Sequence, residues 1–308
     1  MKILIRPKRS KNYLVVIAIG NKYYDYWKKK FYPLVKQYSL NNGIGVIAIT
    51  NNLISKSSKY FKKPQWQKLL VGEFLSKNKI VYKNLCIIDA DILVNPYSPN
   101  IFNYHREDKI SVVSSRLNMP YDYNNTAKKI AFNRNNFYSK KYPLNSAINM
   151  TIKNIFKFHN LQSFNNFFCA GLYVFNIKFS KKFENIFFKY PSDIKSITNG
   201  GDQTHVNYEF QKIGKLNWLD YKFQALWNYE MANYYPFLYY EKNKKIISHC
   251  IETSLINNYF LHFAGSWHES KMIDNFYPDI LKNKKYILKL KNYLTKKFIG
   301  KPYGFIKP

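Results

Sequence analysis

Leu85-Cys86-Ile87-Ile88-Asp89-Ala90-Asp91-Ile92-Leu93-Val94-Asn95-Pro96 sets two carboxylates, one residue apart, at the end of an uncharged run. The run from Leu85 to Ile88 is short and rich in Ile and Leu, which suits a buried strand. Asp89 and Asp91 then fall at its C-terminal end, the edge of an open α/β sheet where ligands bind. Carboxylates at i and i+2 on such a tip repel each other unless a cation bridges them. Mg²⁺ or Mn²⁺ does this through oxygen ligands and leaves positions for phosphate oxygens. A bare Asp-x-Asp reads more readily as a solvated turn, so the flanking chain decides.

Upstream, the pattern alternates. Tyr13 to Ile19 reads as a strand, Gly20-Asn21-Lys22 as a turn and Tyr23 to Tyr38 as a helix. Ile44 to Thr50 is a second strand, and Pro64 to Lys77 a helix with Trp66, Leu69, Leu70 and Phe74 on one face and Gln67 and Lys68 off it. Leu85 to Ile88 is the third strand and Ile110 to Ser114 the fourth. Strands alternating with helices imply βαβ units and a parallel sheet covered by helices. The loop after the first strand then lies beside Asp89 and Asp91, where Asn21, Tyr23 and Tyr24 can receive a base or ribose. Either tyrosine can equally pack under its helix.

Downstream, Tyr123 to Phe183 contains no acid, while Lys128, Lys129, Arg134, Lys140, Lys141, Lys153 and Lys157 accumulate among Asn, Tyr and Phe. This is an insertion that lids the site or receives an acceptor, or else a basic solvated surface. Phe167 to Asn176 reads as a strand in which Ala170 and Gly171 allow a ligand or another backbone close. Asn199-Gly200-Gly201-Asp202-Gln203 opens a helix from Thr204 to Lys212. Asp202 or Gln203 alone reads as a plain cap; near a metal–phosphate site the pair can hold an acceptor hydroxyl or a developing positive charge. Tyr259 to His268 delivers His262 at the end of an apolar strand, then Gly265, where a phosphate can approach the backbone. His262 is a satisfied core residue or a third ligand, and as a ligand it suits Mn²⁺ better than Mg²⁺. From Ile280 the tail is basic and acid-free, with Ile280, Ile287, Leu290, Leu294 and Phe298 near one helical face. That stripe can dock on the body or lie on anionic membrane.

Composition sets outer limits. A chain of 308 residues at 46% hydrophobic can bury a large core, as one domain or two. No apolar run approaches the ~20 residues of a membrane span, and the start lacks a signal-peptide pattern. Cys86, Cys169 and Cys250 are far apart, which argues against a disulfide framework and fits a reducing, cytoplasmic setting. The 49 basic and 18 acidic residues leave a formal charge of +31. Such a field draws nucleic acid, anionic lipid or anionic small molecules.

In order, the tyrosine-bearing first loop, the strand-Asp-x-Asp, the Ala-Gly strand, the Asp-Gln helix start and the late His-x-x-Gly resemble a GT-A glycosyltransferase. The chain is most similar to glycosyltransferase family 8, the glycogenin-like and lipopolysaccharide galactosyltransferase-like group, over Tyr13 to His268. The resemblance implies a GT-A (Rossmann-like) α/β fold: a mixed, mostly parallel central sheet with helices on both faces. It would be one domain over 1–275, with the basic insertion at about 118–165 and the amphipathic tail at 276–308. It implies a nucleotide-sugar donor, UDP-glucose or UDP-galactose, a Mn²⁺ or Mg²⁺ cofactor, and transfer with retention to a glycan, glycolipid or protein. Asp89, Asp91 and His262 match the metal ligands, Lys68 a donor-contacting base, and Tyr23 or Tyr24 the aromatic that stacks on the nucleobase. Asn21, Ala170, Gly171, Gly265, His268 and Lys271 complete the donor site, and Asp202 and Gln203 match the pair near the anomeric carbon. The sequence departs from the family pattern in three places. His268 stands where a Lys of the late motif belongs, with Lys271 three residues on; Cys169 replaces a frequent Asn; Gly20 replaces an acid at the base. The basic surface extends the expectation to an anionic acceptor and to peripheral contact with the inner face of a membrane. The competing readings are a nucleic-acid-binding protein, against which no recognised motif speaks in favour, and a GT-A domain that binds without catalysis.

Overall fold

The computed structural model describes residues 1–8, 10–138, 146–194, 196–197 and 201–276. The expected tail helix beyond Phe276, together with Lys140, Lys141, Asn199 and Gly200, lies outside the described residues.

Ten strands and eleven α-helices alternate along the described chain. The strands are β1 Lys2–Ile5, β2 Asn12–Ile17, β3 Gly45–Ile49, β4 Asn84–Asp89, β5 Ile92–Val94, β6 Ile110–Ser114, β7 Phe168–Asn176, β8 Leu216–Leu219, β9 Ala225–Leu226 and β10 Phe260–His262. The helices are α1 Asn21–Lys30, α2 Tyr32–Asn42, α3 Pro64–Gln67, α4 Val71–Lys77, α5 Tyr123–Phe137, α6 Ile152–Phe158, α7 Ser180–Lys189, α8 Gln203–Lys212, α9 Trp227–Tyr234, α10 Lys244–Asn257 and α11 His268–Lys271.

Seven strands form the main sheet in the order β1-β3-β2-β4-β7-β6-β8. β2 runs parallel to both β3 and β4, as the βαβ pattern requires, and β6 runs parallel to β8. β7 is antiparallel to β4 and to β6, and β1 closes one edge antiparallel to β3. The sheet is therefore mixed, with parallel blocks on either side of β7. A smaller sheet, β5-β10-β9, packs beside it. One core, with Trp27, Phe31, Tyr38 and Trp227, covers one face, and another, with Trp66, Phe183, Phe187 and Phe210, covers the other.

Two expected helices are broken by local chemistry. The helix read from Tyr23 to Tyr38 divides at Phe31, because Pro33 sits in the first turn of α2, where its missing N–H costs nothing. Gly43, at φ 64°, ends α2 in the left-handed conformation that glycine reaches most easily. The helix read from Pro64 to Lys77 tightens into a 3₁₀ turn at Lys68–Leu70 between α3 and α4. That turn carries Lys68 from the expected polar side into the interior, where it is 3% exposed. Among the described residues no helix is long and apolar enough to cross a membrane.

The α4–α7 crossing is tight at Gly72, where an added Cβ would lie 2.3 Å from Ser180 Oγ and 2.7 Å from Ser180 Cβ. Gly72→Ala is expected to lower stability by about 1–3 kcal/mol through overpacking, measured as a shift in the urea midpoint. An unchanged midpoint would show that the crossing has slack.

Candidate active site at the sheet edge

β4 ends on Asp89, and β2 pairs with it so that Ile17 lies beside Asp89. The loop leading into α1 thus borders the carboxylates, as the strand order predicts. Three residues after Asp89 the chain enters β5, and β10 returns antiparallel with His262 opposite Ile92. The Phe263 amide donates to Asp91 O at 3.0 Å, which pins the two strand ends together. Asp89, Asp91 and His262 consequently each present one ligand atom, all within 4.8 Å of one another. His262 Nε2 is 3.1 Å from Asp91 Oδ1 and 3.9 Å from Asp89 Oδ2.

Gly171 makes room for this cluster. β7 pairs Leu172 with Ile88, which sets Gly171 beside Asp89. A Cβ on Gly171 would lie 2.3 Å from His262 Cε1 and 2.9 Å from Asp89 Oδ2. Behind the imidazole stands Gln224. With its amide oxygen turned inward it accepts from His262 Nδ1 at 3.2 Å and from the Leu172 amide at 3.0 Å, while its nitrogen donates to Cys169 O at 3.1 Å. This arrangement keeps the proton on Nδ1 and aims the Nε2 lone pair at the two carboxylates, as when a histidine that binds a metal is oriented by a hydrogen bond to its other nitrogen. A lone pair facing carboxylates is repulsive unless a proton or a cation lies between them. Asp91 Oδ1 is buried and has no hydrogen-bond partner. Hard oxygens, one neutral imidazole nitrogen and an orphaned carboxylate oxygen fit a divalent cation such as Mn²⁺ or Mg²⁺. Without a cation, burial pulls the imidazole pKa down, but Asp91 and Cys169 together outweigh burial, so the net shift is upward.

Lys68 anchors the other side. Its Nζ donates to Asp89 Oδ1 at 3.0 Å and to Ala170 O at 2.8 Å, and lies 3.4 Å from Asp202 Oδ2. Burial opposes its charge, but Asp202 and Asp89 outweigh burial and raise its pKa. Burial raises the Asp202 carboxyl pKa, and Lys68 works against that. Asp202 precedes α8 yet makes no side-chain cap bond. The plain-cap reading is therefore corrected: the carboxylate turns to Lys68 and away from the helix amides.

These groups form the floor of a cleft of about 1240 Å³, ample for a cofactor-sized ligand together with a second molecule. Tyr23, Lys68, Ala170, Gly171, Asp202, Gln203, Gly265, His268 and Lys271 line it. Tyr23 is 70% exposed, whereas Tyr24 is 5% exposed with Lys2 Nζ 4.3 Å from its ring centre. Successive helical residues point about 100° apart, so Tyr23 faces the cleft while Tyr24 packs into the core. Asn21 is exposed at the start of α1 and does not line the cleft.

The acid-free segment forms part of the outer wall. Ile130, Ile155 and Phe156 bury themselves, while Arg116, Tyr123 and Arg134 face the cleft. The Arg116 guanidinium stacks 3.9 Å from the centre of the Tyr123 ring and donates to Ala147 O at 2.8 Å. Gln224, Arg116 and the buried Arg134–Glu269 pair were absent from the sequence expectations. A lone amide inside Phe223-Gln224-Ala225-Leu226 was the available signal for Gln224.

The sequence matches no known family model and no curated protein. Among solved structures, the chain is similar to a glycosyltransferase involved in glycosylation of the major capsid of PBCV-1, at 9% identity and TM-score 0.48, covering 85% of this chain and 97% of that one. It is similar to the galactosyltransferase LgtC in complex with donor and acceptor sugar analogs, at 11% identity and TM-score 0.40, covering 85% and 94%. It is also similar to the WbbM bifunctional glycosyltransferase, at 12% identity and TM-score 0.49, covering 92% of this chain and 52% of that one. Likeness at this level leaves the functional reading to the site itself.

Gly171→Ala is expected to displace His262 and weaken Mn²⁺ binding by about 10- to 100-fold, measured by EPR titration, while the far-UV spectrum stays unchanged. Equal affinity would show that His262 is not a ligand. Cation binding must also displace a proton from His262, so apparent affinity should rise with pH and binding should release protons, read by calorimetry in buffers of different ionisation enthalpy. In metal-free protein the His262–Asp91 pair adds stability that is full below about pH 6.5 and is lost as pH rises through the raised folded-state value.

Proposed function

We propose that this protein is a GT-A glycosyltransferase of the family 8 type. It would move a hexose from a UDP-sugar, glucose or galactose, to a glycan, glycolipid or protein acceptor with retention of configuration. The observation that carries the reading is the Asp89–Asp91–His262 cluster, with its orphaned Asp91 oxygen, on the floor of a cleft that also presents Asp202 and Gln203. The order of motifs along the chain supports the same reading.

Asp89, Asp91 and His262 would hold the cation. Bound there, a divalent cation neutralises the charge that develops on a diphosphate leaving group. Lys68 holds the Asp89 and Asp202 side chains in place and adds positive charge to the same corner. Tyr23 offers an exposed ring on which a nucleobase can stack. The Asp202 carboxylate faces positive charge developing at the anomeric carbon, and Gln203 orients the acceptor hydroxyl. Attack from the face of the departing diphosphate gives retention, and the leaving phosphate takes the hydroxyl proton. The three cysteines are buried and free, which supports a reducing, cytoplasmic setting. The net charge of +31 favours an anionic acceptor or a nearby anionic membrane face.

The test is hydrolysis of a panel of nucleotide-sugars with Mn²⁺ or EDTA, on the intact protein and on Asp91→Asn. The expected result is slow Mn²⁺-dependent consumption of one donor, reduced at least about 100-fold in the variant. No donor consumed, and no thermal shift with UDP plus Mn²⁺, would overturn the proposal. UDP binding without turnover of any donor would instead mark a binding domain, a reading that His268 in place of the late Lys also favours.

A further inference from the structure

The chain between Gly265 and Lys271 leaves the sheet after β10 and forms one wall of the cleft with Gly265, Trp267, His268 and Lys271. Within the segment, Ser270 donates its amide and its hydroxyl to Trp267 O at 3.1 and 2.7 Å. Gly265 sits at φ 98°, a turn that gives the segment no sheet partner to lean on.

The segment is tied instead to α5. Arg134 Nε donates to Glu269 Oε1 at 2.7 Å, with the two side chains 5% and 1% exposed. The same guanidinium lies 4.8 Å from the Trp267 ring centre. One turn on, Tyr138 meets His268 edge-on with ring centres 4.6 Å apart. Two residues that line the cleft, Trp267 and His268, thus rest on the end of a helix more than 120 residues away in sequence. Only five of the 49 basic residues are arginine, namely Arg6, Arg9, Arg106, Arg116 and Arg134, and two of those face this cleft. Arginine suits the position because a planar guanidinium can donate along its edge to a carboxylate while its face stacks on an indole; a lysine ammonium cannot do both.

We propose that Arg134 is a positioning residue for donor binding. Through Glu269 and Trp267 it holds the 265–271 segment against the diphosphate half of the cleft, where His268 stands in place of the late-motif lysine. The assignment rests on the donor reading above. It makes α5 a fixed wall of the donor site and gives the acid-free stretch a function beyond its charge.

The test compares wild type, Arg134→Lys and Glu269→Gln in three measurements: hydrogen exchange of residues 264–271, Mn²⁺ affinity by EPR, and UDP affinity at saturating Mn²⁺ by calorimetry. Glu269→Gln keeps a hydrogen-bond acceptor and serves where Arg134→Lys does not fold. Expected are faster exchange in 264–271, UDP affinity lower by about tenfold and Mn²⁺ affinity within about twofold of wild type. In turnover the same variants should raise KM for the donor more than they lower kcat. Unchanged exchange, or faster exchange with unchanged UDP affinity, overturns the assignment. So does a loss of Mn²⁺ affinity equal to that of UDP, which is the mark of general destabilisation. A wild-type protein that binds no UDP overturns the donor reading and this assignment together, whereas wild type and Arg134→Lys binding UDP equally overturns the assignment alone.

Discussion

The ammonium group of Lys68 is the interaction on which the site depends. It lies out of water between Asp89 and Asp202 and also donates to the Ala170 carbonyl. Four elements meet at this one charge: the 3₁₀ turn that carries Lys68, the end of β4, the first part of β7 and the start of α8. Burying an ammonium is expensive, and only well-placed carboxylates and a carbonyl make it tolerable. The same geometry works in reverse, because the ammonium opposes the rise that burial imposes on the Asp202 carboxyl pKa. Lys68 therefore supplies a fixed positive charge between the Asp89 and Asp202 side chains at the cleft.

The second constraint is the joint between the two sheets. β4 and β5 are almost continuous in sequence, yet they belong to different sheets, and Asp89 and Asp91 sit at the corner where the chain passes from one to the other. β10 pairs with β5 and brings His262 to that corner. Gln224, just before β9, then fixes the imidazole from behind. A further buried network backs this corner. Glu230 accepts from Ser254 Oγ at 2.8 Å and from Asn258 Nδ2 at 3.1 Å, and the Tyr221 hydroxyl bonds to Tyr121 and accepts from the Leu226 amide. The position of the histidine is thus set largely by buried packing and hydrogen bonds behind the cleft.

How much of this was legible follows from the range of each interaction. The β4 carboxylates announced themselves because an uncharged run ending in two acids has few physical explanations, and strand alternation placed the first loop beside them. His262 was readable in type but not in contact, since its partner strand β5 is 166 or more residues away in sequence. Lys68 was misplaced on the polar face because helical spacing assumes an α-helix, and three residues of 3₁₀ geometry rotate that face. Asp202 read as a cap because its true partner lies more than 130 residues earlier. Tyr23 and Tyr24 are adjacent and chemically alike, so only the start of α1 at Asn21 could separate them. β1, β8 and β9 are edge or two-residue strands too short to show a period. Gln224 and Arg134 act through contacts with residues distant in sequence, which leave little trace in local sequence.

The most direct measurement is a crystal structure of the protein grown or soaked with Mn²⁺ and UDP, recorded at a wavelength where manganese scatters anomalously. The expected result is a single anomalous peak about 2.1 Å from one oxygen each of Asp89 and Asp91 and from His262 Nε2, with UDP phosphate oxygens completing its shell. A peak elsewhere, or UDP bound in the cleft with no manganese between those three side chains, would contradict the assignment of this sheet edge as a metal-dependent donor site.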